Sequence, residues 1–181
     1  LALMALGIKS GDEVIVPTLT FGATAFPVTY TGAKPVFLDV EERSWGLDPN
    51  VLESVLDERS QQGRRVAAVI PVDLFGRPAD YDRILPVAAE YDIPVLVDAA
   101  ESLGATHHAR AAGTVAQAGV YSFNGNKIMT TSGGGMLVSD DGELVEKARF
   151  WSTQSREPFP WYEHEEIGYN YRLSNILAAL G

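Results

Sequence analysis

The chain has 181 residues, of which 46% are hydrophobic and 21% charged, and its formal net charge is −10. This composition is typical of a globular domain with a substantial core, and the negative charge argues against nonspecific nucleic-acid binding. No cysteine is present, which excludes disulfides, thiolate catalysis and cysteine-based zinc sites. With only three histidines, no metal site is expected. No apolar run reaches the ~20 residues of a membrane helix, and a cytoplasmic location is the expectation.

Short β-rich runs alternate with helical patterns along the chain. The first eight residues have the pattern of a helix that ends at Gly7. We expect Thr20 and Asp48 to cap two further helices. Residues 152–167 are predicted to form a long loop. The predicted strands are 13–17, 35–40, 65–72, 94–97, 118–123 and 135–139. The predicted helices are 20–30, 49–59, 80–91, 143–151 and 172–181.

Strands that are apolar on both faces and alternate with helices predict an α/β fold. We expect three layers, αβα, with helices on both sides of a mostly parallel sheet. The strand at 135–139 is expected to run antiparallel, because only a polar loop joins it to the strand before it. Ligands of such sheets bind beyond the carboxyl ends of the strands. The polar residues at those ends are Thr18, Thr20, Asp73, Asp98, Glu101 and 122–127.

Two of these residues, Lys127 and Asp98, suggest a particular chemistry. A lysine amine can condense with the aldehyde of pyridoxal 5′-phosphate (PLP), and a carboxylate can keep the pyridine nitrogen protonated, so that the ring becomes an electron sink. Ser122 and the small polar residues that follow it offer hydroxyl and backbone N–H groups to a phosphate. Phe21, just past the first strand, could stack on a planar cofactor or pack in the core.

Other interpretations of the same residues stay open. Asp98 could simply cap the turn that follows its strand. Asp98, Glu101 and Asp73 could instead form the site of a carboxylate- or metal-dependent hydrolase, and Ser122 with Lys127 could form a hydrolytic dyad. A nicotinamide dehydrogenase is excluded, because no glycine-rich nucleotide-binding fingerprint occurs.

Five segments of the sequence resemble the DegT–DnrJ–StrS family of PLP-dependent sugar aminotransferases. They occur in the family's order and cover nearly the whole chain. The segment Ser-Phe-Asn-Gly-Asn-Lys, which ends at Lys127, is similar to the corresponding segment of one bacterial subgroup. That subgroup acts on UDP-4-keto-6-deoxy sugars in glycan and exopolysaccharide synthesis. The resembling segments are 11–21, 32–39, 98–105, 121–127 and 168–173.

The resemblance implies a role for each residue of the candidate site, which would belong to the large domain of a fold type I PLP enzyme. Lys127 would bind the cofactor aldehyde and then carry a proton to and from the sugar carbon. Asp98 would pair with the pyridine nitrogen, and Glu101 would lie near the ring. Ser122 would bind the cofactor phosphate, and Phe21 would stack on the ring.

The resemblance also implies partners. The protein would be a homodimer with shared active sites, in which Asn170 reaches the phosphate in the neighbouring subunit. Its substrates would be a nucleotide-linked keto sugar, aminated at C4, and an amino-acid donor, glutamate. Most members have histidine where this chain has Asp73, so contacts with the sugar are expected to differ there.

The resemblance further implies that residues 1–181 are part of a large PLP-binding domain. An N-terminal segment and a small C-terminal domain would lie outside this sequence. We therefore expect the 181-residue chain by itself to have little or no transaminase activity. A non-catalytic, regulatory protein of the same fold is the remaining alternative.

Overall fold

Six strands form the centre of the molecule, which the computed structural model describes from residue 1 to residue 181. A two-stranded hairpin lies apart from them. The strands are β1 (Glu13–Pro17), β2 (Lys34–Leu38), β3 (Val66–Val69), β4 (Leu96–Asp98), β5 (Thr106–His107), β6 (Arg110–Ala111), β7 (Ala118–Ser122) and β8 (Gly135–Val138). The helices are α1 (Ala2–Ala5), α2 (Phe26–Tyr30), α3 (Pro49–Gln61), α4 (Tyr81–Glu90), α5 (Gly142–Ser152) and α6 (Asn175–Leu180).

Two sets of three strands, in the orders β2-β1-β3 and β4-β7-β8, adjoin at β3 and β4. The Val69 N–H donates to the Pro94 carbonyl at 3.0 Å, and the Asp73 N–H donates to the Asp98 carbonyl at 3.0 Å. These bonds bring the carboxyl ends of β3 and β4 side by side. Among the six central strands, all pairings are parallel except β7 with β8, which is antiparallel. The separate β5–β6 hairpin is also antiparallel. The prediction for the strand at 135–139 is therefore confirmed.

Helices cover both faces of the sheet, because its strands are apolar on both sides. On one face, α3 and α4 pack through side chains such as Leu52 and Ile84. On the other face, α1, α2 and α5 pack through Leu3, Val28 and Leu144. The predicted three-layer αβα fold is confirmed. None of the helices has the length and apolar character needed to cross a membrane.

The largest local difference from the prediction concerns residues 20–30. They form a single 3-10 turn, Gly22–Thr24, and then the short helix α2. Thr20 does not cap a helix, because the Thr20 hydroxyl contacts the Thr24 hydroxyl at 2.6 Å. By contrast, Asp48 caps α3 as predicted and accepts a bond from the Asn50 N–H at 2.8 Å. The turn at 22–24 matters because it brings the Thr24 side chain toward the end of β4.

Candidate active site

A cavity of about 640 Å³ lies at the carboxyl ends of the parallel strands. Its walls come from the segments that follow β1, β3, β4 and β7, which are the positions where sheets of this class bind ligands. Five of the six residues predicted for the site line this one cavity: Phe21, Asp98, Glu101, Ser122 and Lys127. Segments from Phe21 to Lys127, which are far apart in sequence, therefore meet at one place.

Asp98 ends β4 and is half-buried. Its Oδ1 accepts a bond from the Ala100 N–H at 3.2 Å, so the residue does cap the following turn. Its Oδ2 accepts a bond from the Thr24 hydroxyl at 2.6 Å, and Thr24 in turn contacts Thr20 at 2.6 Å. Since Thr24 uses its own hydrogen on Asp98, it accepts from Thr20. This chain of hydroxyl groups fixes the orientation of a carboxylate that still lines the cavity.

Lys127 lies in the loop between β7 and β8, and its side chain is only 15% exposed. Its backbone N–H donates to the Asn124 carbonyl at 3.0 Å, within a tight turn. Its Nζ lies 3.5 Å from Oε1 of Glu101, and Oε2 of Glu101 accepts a bond from the Phe75 N–H at 2.8 Å. Glu101 thus connects the amine to the segment after β3. Lys127 is therefore held inside the cavity and not on the open surface.

Ser122 and Phe21 offer groups of two other kinds to the cavity. The Ser122 oxygen accepts a bond from the Asn124 N–H at 3.3 Å, which leaves its hydroxyl hydrogen available to an anion. No hydrogen bond joins Ser122 to Lys127, so the structure gives no support to a hydrolytic dyad. The Phe21 side chain is 81% exposed beside the cavity, and its interpretation as a core aromatic is therefore wrong.

Asp73 does not line the cavity, so the structure gives no support to the expectation that contacts with the sugar differ there. It is fully buried. Its Oδ1 accepts bonds from the Tyr81 hydroxyl at 2.5 Å and the Ala79 N–H at 3.1 Å, and its Oδ2 accepts one from the Ser102 hydroxyl at 2.7 Å. The same burial removes it from any carboxylate site shared with Asp98 and Glu101. Asp73 instead ties the segments after β3 and β4 together.

Asn170 lies away from the cavity, in the extended segment after α5. It forms a single antiparallel bridge with Thr153 and lines a separate, open depression near Arg156. Its side chain is exposed. The structure of one chain therefore does not bring Asn170 together with the other five predicted residues.

The DegT/DnrJ/EryC1/StrS aminotransferase family matches the chain from residue 1 to residue 181. The chain belongs to this family. Among the curated relatives, EpsN of Bacillus subtilis strain 168 is 51% identical over the whole chain. Its name describes a pyridoxal phosphate-dependent aminotransferase. The GDP-perosamine synthase of Caulobacter vibrioides is 43% identical over the whole chain. A UDP-N-acetyl-3-dehydro-alpha-D-glucosamine 3-aminotransferase of Acidithiobacillus ferrooxidans is 39% identical over 99% of it.

Two solved structures share the fold. An aminotransferase of the family from Brucella abortus superimposes with a TM-score of 0.90 at 35% identity, over 99% of this chain and 48% of its own. Spr1654 of Streptococcus pneumoniae, solved in its PLP form, has a TM-score of 0.87 at 28% identity, over 99% of this chain and 50% of its own. The chain likewise spans 47% of each of the three curated relatives, about half their length.

The sequence did not predict the residues that hold the side chains of the candidate site in position. Thr24 was not expected to bind Asp98, because the two are 74 residues apart. Phe75 was not expected either, although its backbone N–H binds Glu101 from a left-handed conformation with φ of 54°. The one sequence pattern that could have indicated this support is the set of threonines at 18, 20 and 24. Side chains four residues apart, such as Thr20 and Thr24, can contact each other across a helical turn.

Replacing Asp73 with alanine is expected to destabilise the chain by about 3 kcal/mol, because three buried donors lose their acceptor. Asparagine at position 73 keeps an acceptor for Tyr81 and Ala79 and can donate to Ser102, so D73N should lie close to wild type. Chemical denaturation of both variants at neutral pH measures the difference. Equal stability of D73A and wild type would contradict the role of Asp73 as a buried acceptor.

The same two variants give a pH dependence of known sign. Burial raises the pKa of the Asp73 carboxyl above its ordinary value, against the lowering effect of the bonds from Tyr81, Ser102 and Ala79. Because the folded-state pKa exceeds the unfolded one, the carboxyl favours folding most at low pH, and this contribution is lost as pH rises through the raised pKa. The free energy of unfolding of wild type should therefore fall relative to that of D73N as the pH is raised. Denaturation curves of both proteins at several pH values measure this difference.

Proposed function

We propose that the whole protein is a PLP-dependent aminotransferase that moves an amino group from an amino acid to a keto group of a nucleotide-linked sugar. The observation that carries this proposal is the meeting of Lys127 and Asp98 in one cavity at the carboxyl ends of the strands. Membership of the aminotransferase family supports it. It concerns the whole protein, because this chain spans about half the length of its curated relatives.

The groups around the cavity fit PLP in kind. Each oxygen of Asp98 accepts one bond from the protein, so lone pairs remain for a protonated ring nitrogen. Ser122 has a free hydroxyl hydrogen for a phosphate oxygen, and Phe21 offers an exposed ring face for stacking. Lys127 supplies the primary amine that the aldehyde requires. When bound, PLP supplies an electron sink for the carbon that exchanges its amine.

The protein side of the reaction is proton handling and orientation. The Lys127 amine is the group placed to take a proton from the donor carbon and return one to the sugar carbon. Glu101 accepts from the Lys127 Nζ and is itself held by the Phe75 N–H, so it orients the amine. Asp98, fixed by Thr24, holds the ring-nitrogen proton in place.

The finer assignments belong to the same proposal. Amination at C4 with glutamate as donor, in cell-surface polysaccharide or glycan synthesis, is supported by the segment that ends at Lys127. The relatives' names include a GDP-perosamine synthase and a 3-aminotransferase, so the position of the keto group is the point to test. The proposal also includes a homodimer in which Asn170 completes the partner's site, and the exposed position of Asn170 outside the cavity is compatible with this. The proposed location is the cytoplasm. Residues 1–181 would be part of the large, PLP-binding domain.

Borohydride reduction tests the proposal directly. The whole protein with PLP is reduced, digested and mapped by mass spectrometry, and the reduced cofactor is expected on Lys127. The matched control within the same sample is Lys147, which is half-exposed and ion-paired with Glu166 at 2.6 Å. Label on Lys147 and other surface lysines, with none on Lys127, would overturn the assignment. Turnover with glutamate and either a 4-keto or a 3-keto nucleotide sugar then decides the position of amination.

A further inference from the structure

Two adjacent histidines and one aspartate converge on the molecule's surface, outside the cavity described above. This His–Asp cluster consists of Asp82, His107 and His108, and its candidate ligand atoms all lie within 4.8 Å of one another. Asp82 is in the first turn of α4, His107 ends β5, and His108 lies in the turn before β6. The histidine count gave no reason to expect a site here, because the third ligand comes from a separate helix.

The separations between the histidine nitrogens and the Asp82 oxygen are close to those around a bound metal ion. Nε2 of His107 lies 3.2 Å, and Nε2 of His108 3.1 Å, from the same carboxylate oxygen, Oδ1 of Asp82. Around a tetrahedral zinc ion with bonds of about 2.0–2.1 Å, neighbouring ligand atoms are about 3.3 Å apart. Small shifts of the exposed His108 and Asp82 side chains would therefore admit an ion between the three groups.

The backbone at His108 makes the convergence possible. In an extended strand, successive side chains point to opposite faces, which would separate the two imidazoles. His108 has the left-handed φ of 53°, and the two ring centroids are consequently only 4.5 Å apart. The His107 ring is also held by an edge contact with Tyr81, with centroids 5.6 Å apart. One ligand is thus fixed in place before any ion binds.

The donor groups of the cluster suit a cation. The exposed Asp82 carboxylate lies within 3.2 Å of the nearest ring nitrogen of each histidine. The chain as a whole carries a net charge of −10, which favours the approach of cations. Two imidazole nitrogens and one carboxylate oxygen form a donor set that zinc and its neighbours in the first transition row prefer.

We propose that the His–Asp cluster binds one divalent transition metal ion of the zinc class, with water at the open position. Binding would join α4 to the β5–β6 hairpin. The site is independent of the proposed amino transfer, since none of its residues lines the cavity. An ion held by three protein groups, two of them exposed, would exchange with solvent, and its affinity would be that of an open site rather than of a closed structural one.

The test is a zinc titration of the whole protein in competition with a chromogenic chelator. Wild type is expected to take up one zinc ion that D82N and H108N bind at least tenfold more weakly. Asparagine suits position 108 because it tolerates the left-handed conformation. The control is H164N, at the histidine whose Nδ1 contacts the Gln154 carbonyl, and it should bind zinc as wild type does. Circular dichroism of each variant confirms that it is folded.

Cobalt substitution gives a second readout that needs no variant. Co²⁺ in a site with nitrogen and oxygen ligands of low coordination number gives visible absorption bands, which are expected for wild type and should disappear on addition of zinc. The proposal is overturned if wild type shows neither the zinc uptake nor these bands. It is equally overturned if D82N and H108N bind as tightly as H164N, since the histidines would then serve only as hydrogen-bond partners of Asp82.

Discussion

Replacing Lys127 with alanine is expected to reduce amino transfer by the whole protein about 10³-fold or more. The variant loses both the amine that bonds the cofactor and the group that moves the proton, and general acid–base catalysis alone contributes typically 10²–10⁴-fold. The visible absorption of the lysine-bound cofactor should disappear with it. Steady-state turnover and absorption spectra of the same preparation measure the two losses together.

Two controls separate chemistry from charge in this experiment. K127R keeps a positive charge opposite Glu101, 3.5 Å away in wild type, yet has no amine that condenses with an aldehyde, and it should be as inactive as K127A. K147A removes a lysine outside the cavity and should retain wild-type turnover. A folded K127A variant with turnover within tenfold of wild type would contradict the assigned role.

Replacing Asp98 is expected to produce the second large loss, about 10²–10³-fold in kcat, the range seen when one preorganised electrostatic partner is removed. D98A also leaves the Thr24 hydroxyl and the Ala100 N–H without their acceptor, which should cost about 1–3 kcal/mol of stability. D98N keeps an acceptor for the Ala100 N–H and offers its own N–H to the Thr24 oxygen, whose hydrogen can turn to Thr20 instead. It carries no charge to hold the ring nitrogen protonated. Its activity should therefore fall as far as that of D98A, with stability near wild type.

The two variants distinguish the role of the Asp98 charge from its role in anchoring the following turn. If D98N keeps most of the wild-type kcat while D98A loses it, Asp98 acts by anchoring its turn and not by its charge. T24V supplies a matched control, because it removes only the hydroxyl behind the carboxylate. Its kcat should fall by about tenfold, a loss comparable with that of one hydrogen bond. Kinetic and denaturation measurements on the three variants complete the comparison.

The sequence predicted the fold well because periodicity reports which faces of a segment are buried. Runs such as 66–69, buried at every residue, can only be central strands of a covered sheet. The short link around Lys127 correctly predicted an antiparallel β8. The β5–β6 hairpin was not predicted, since two residues in each strand are too few to show alternation.

The candidate site could be predicted where its residues follow strands, and not where their partners come from elsewhere in the chain. Asp98 and Lys127 lie at strand ends in the sequence itself. The burial of Asp73 depends on Tyr81 and Ser102, which approach it only in the folded chain, so its position after β3 suggested a contact with substrate. The left-handed backbone at His108 is likewise set by its turn and has no signature in the residue type alone.

The antiparallel pairing of β7 with β8 has a consequence for the order in which the site can form. The loop that carries Lys127 is closed by a hairpin between neighbouring segments, so few residues must be ordered to bring its ends together. The bond between Thr24 and Asp98 spans 74 residues and requires β1 and β4 to be placed in the sheet first. During folding, the loop that carries the amine should therefore close early, whereas the contact of the amine with Glu101 and the support of the carboxylate should form only when the sheet is nearly complete.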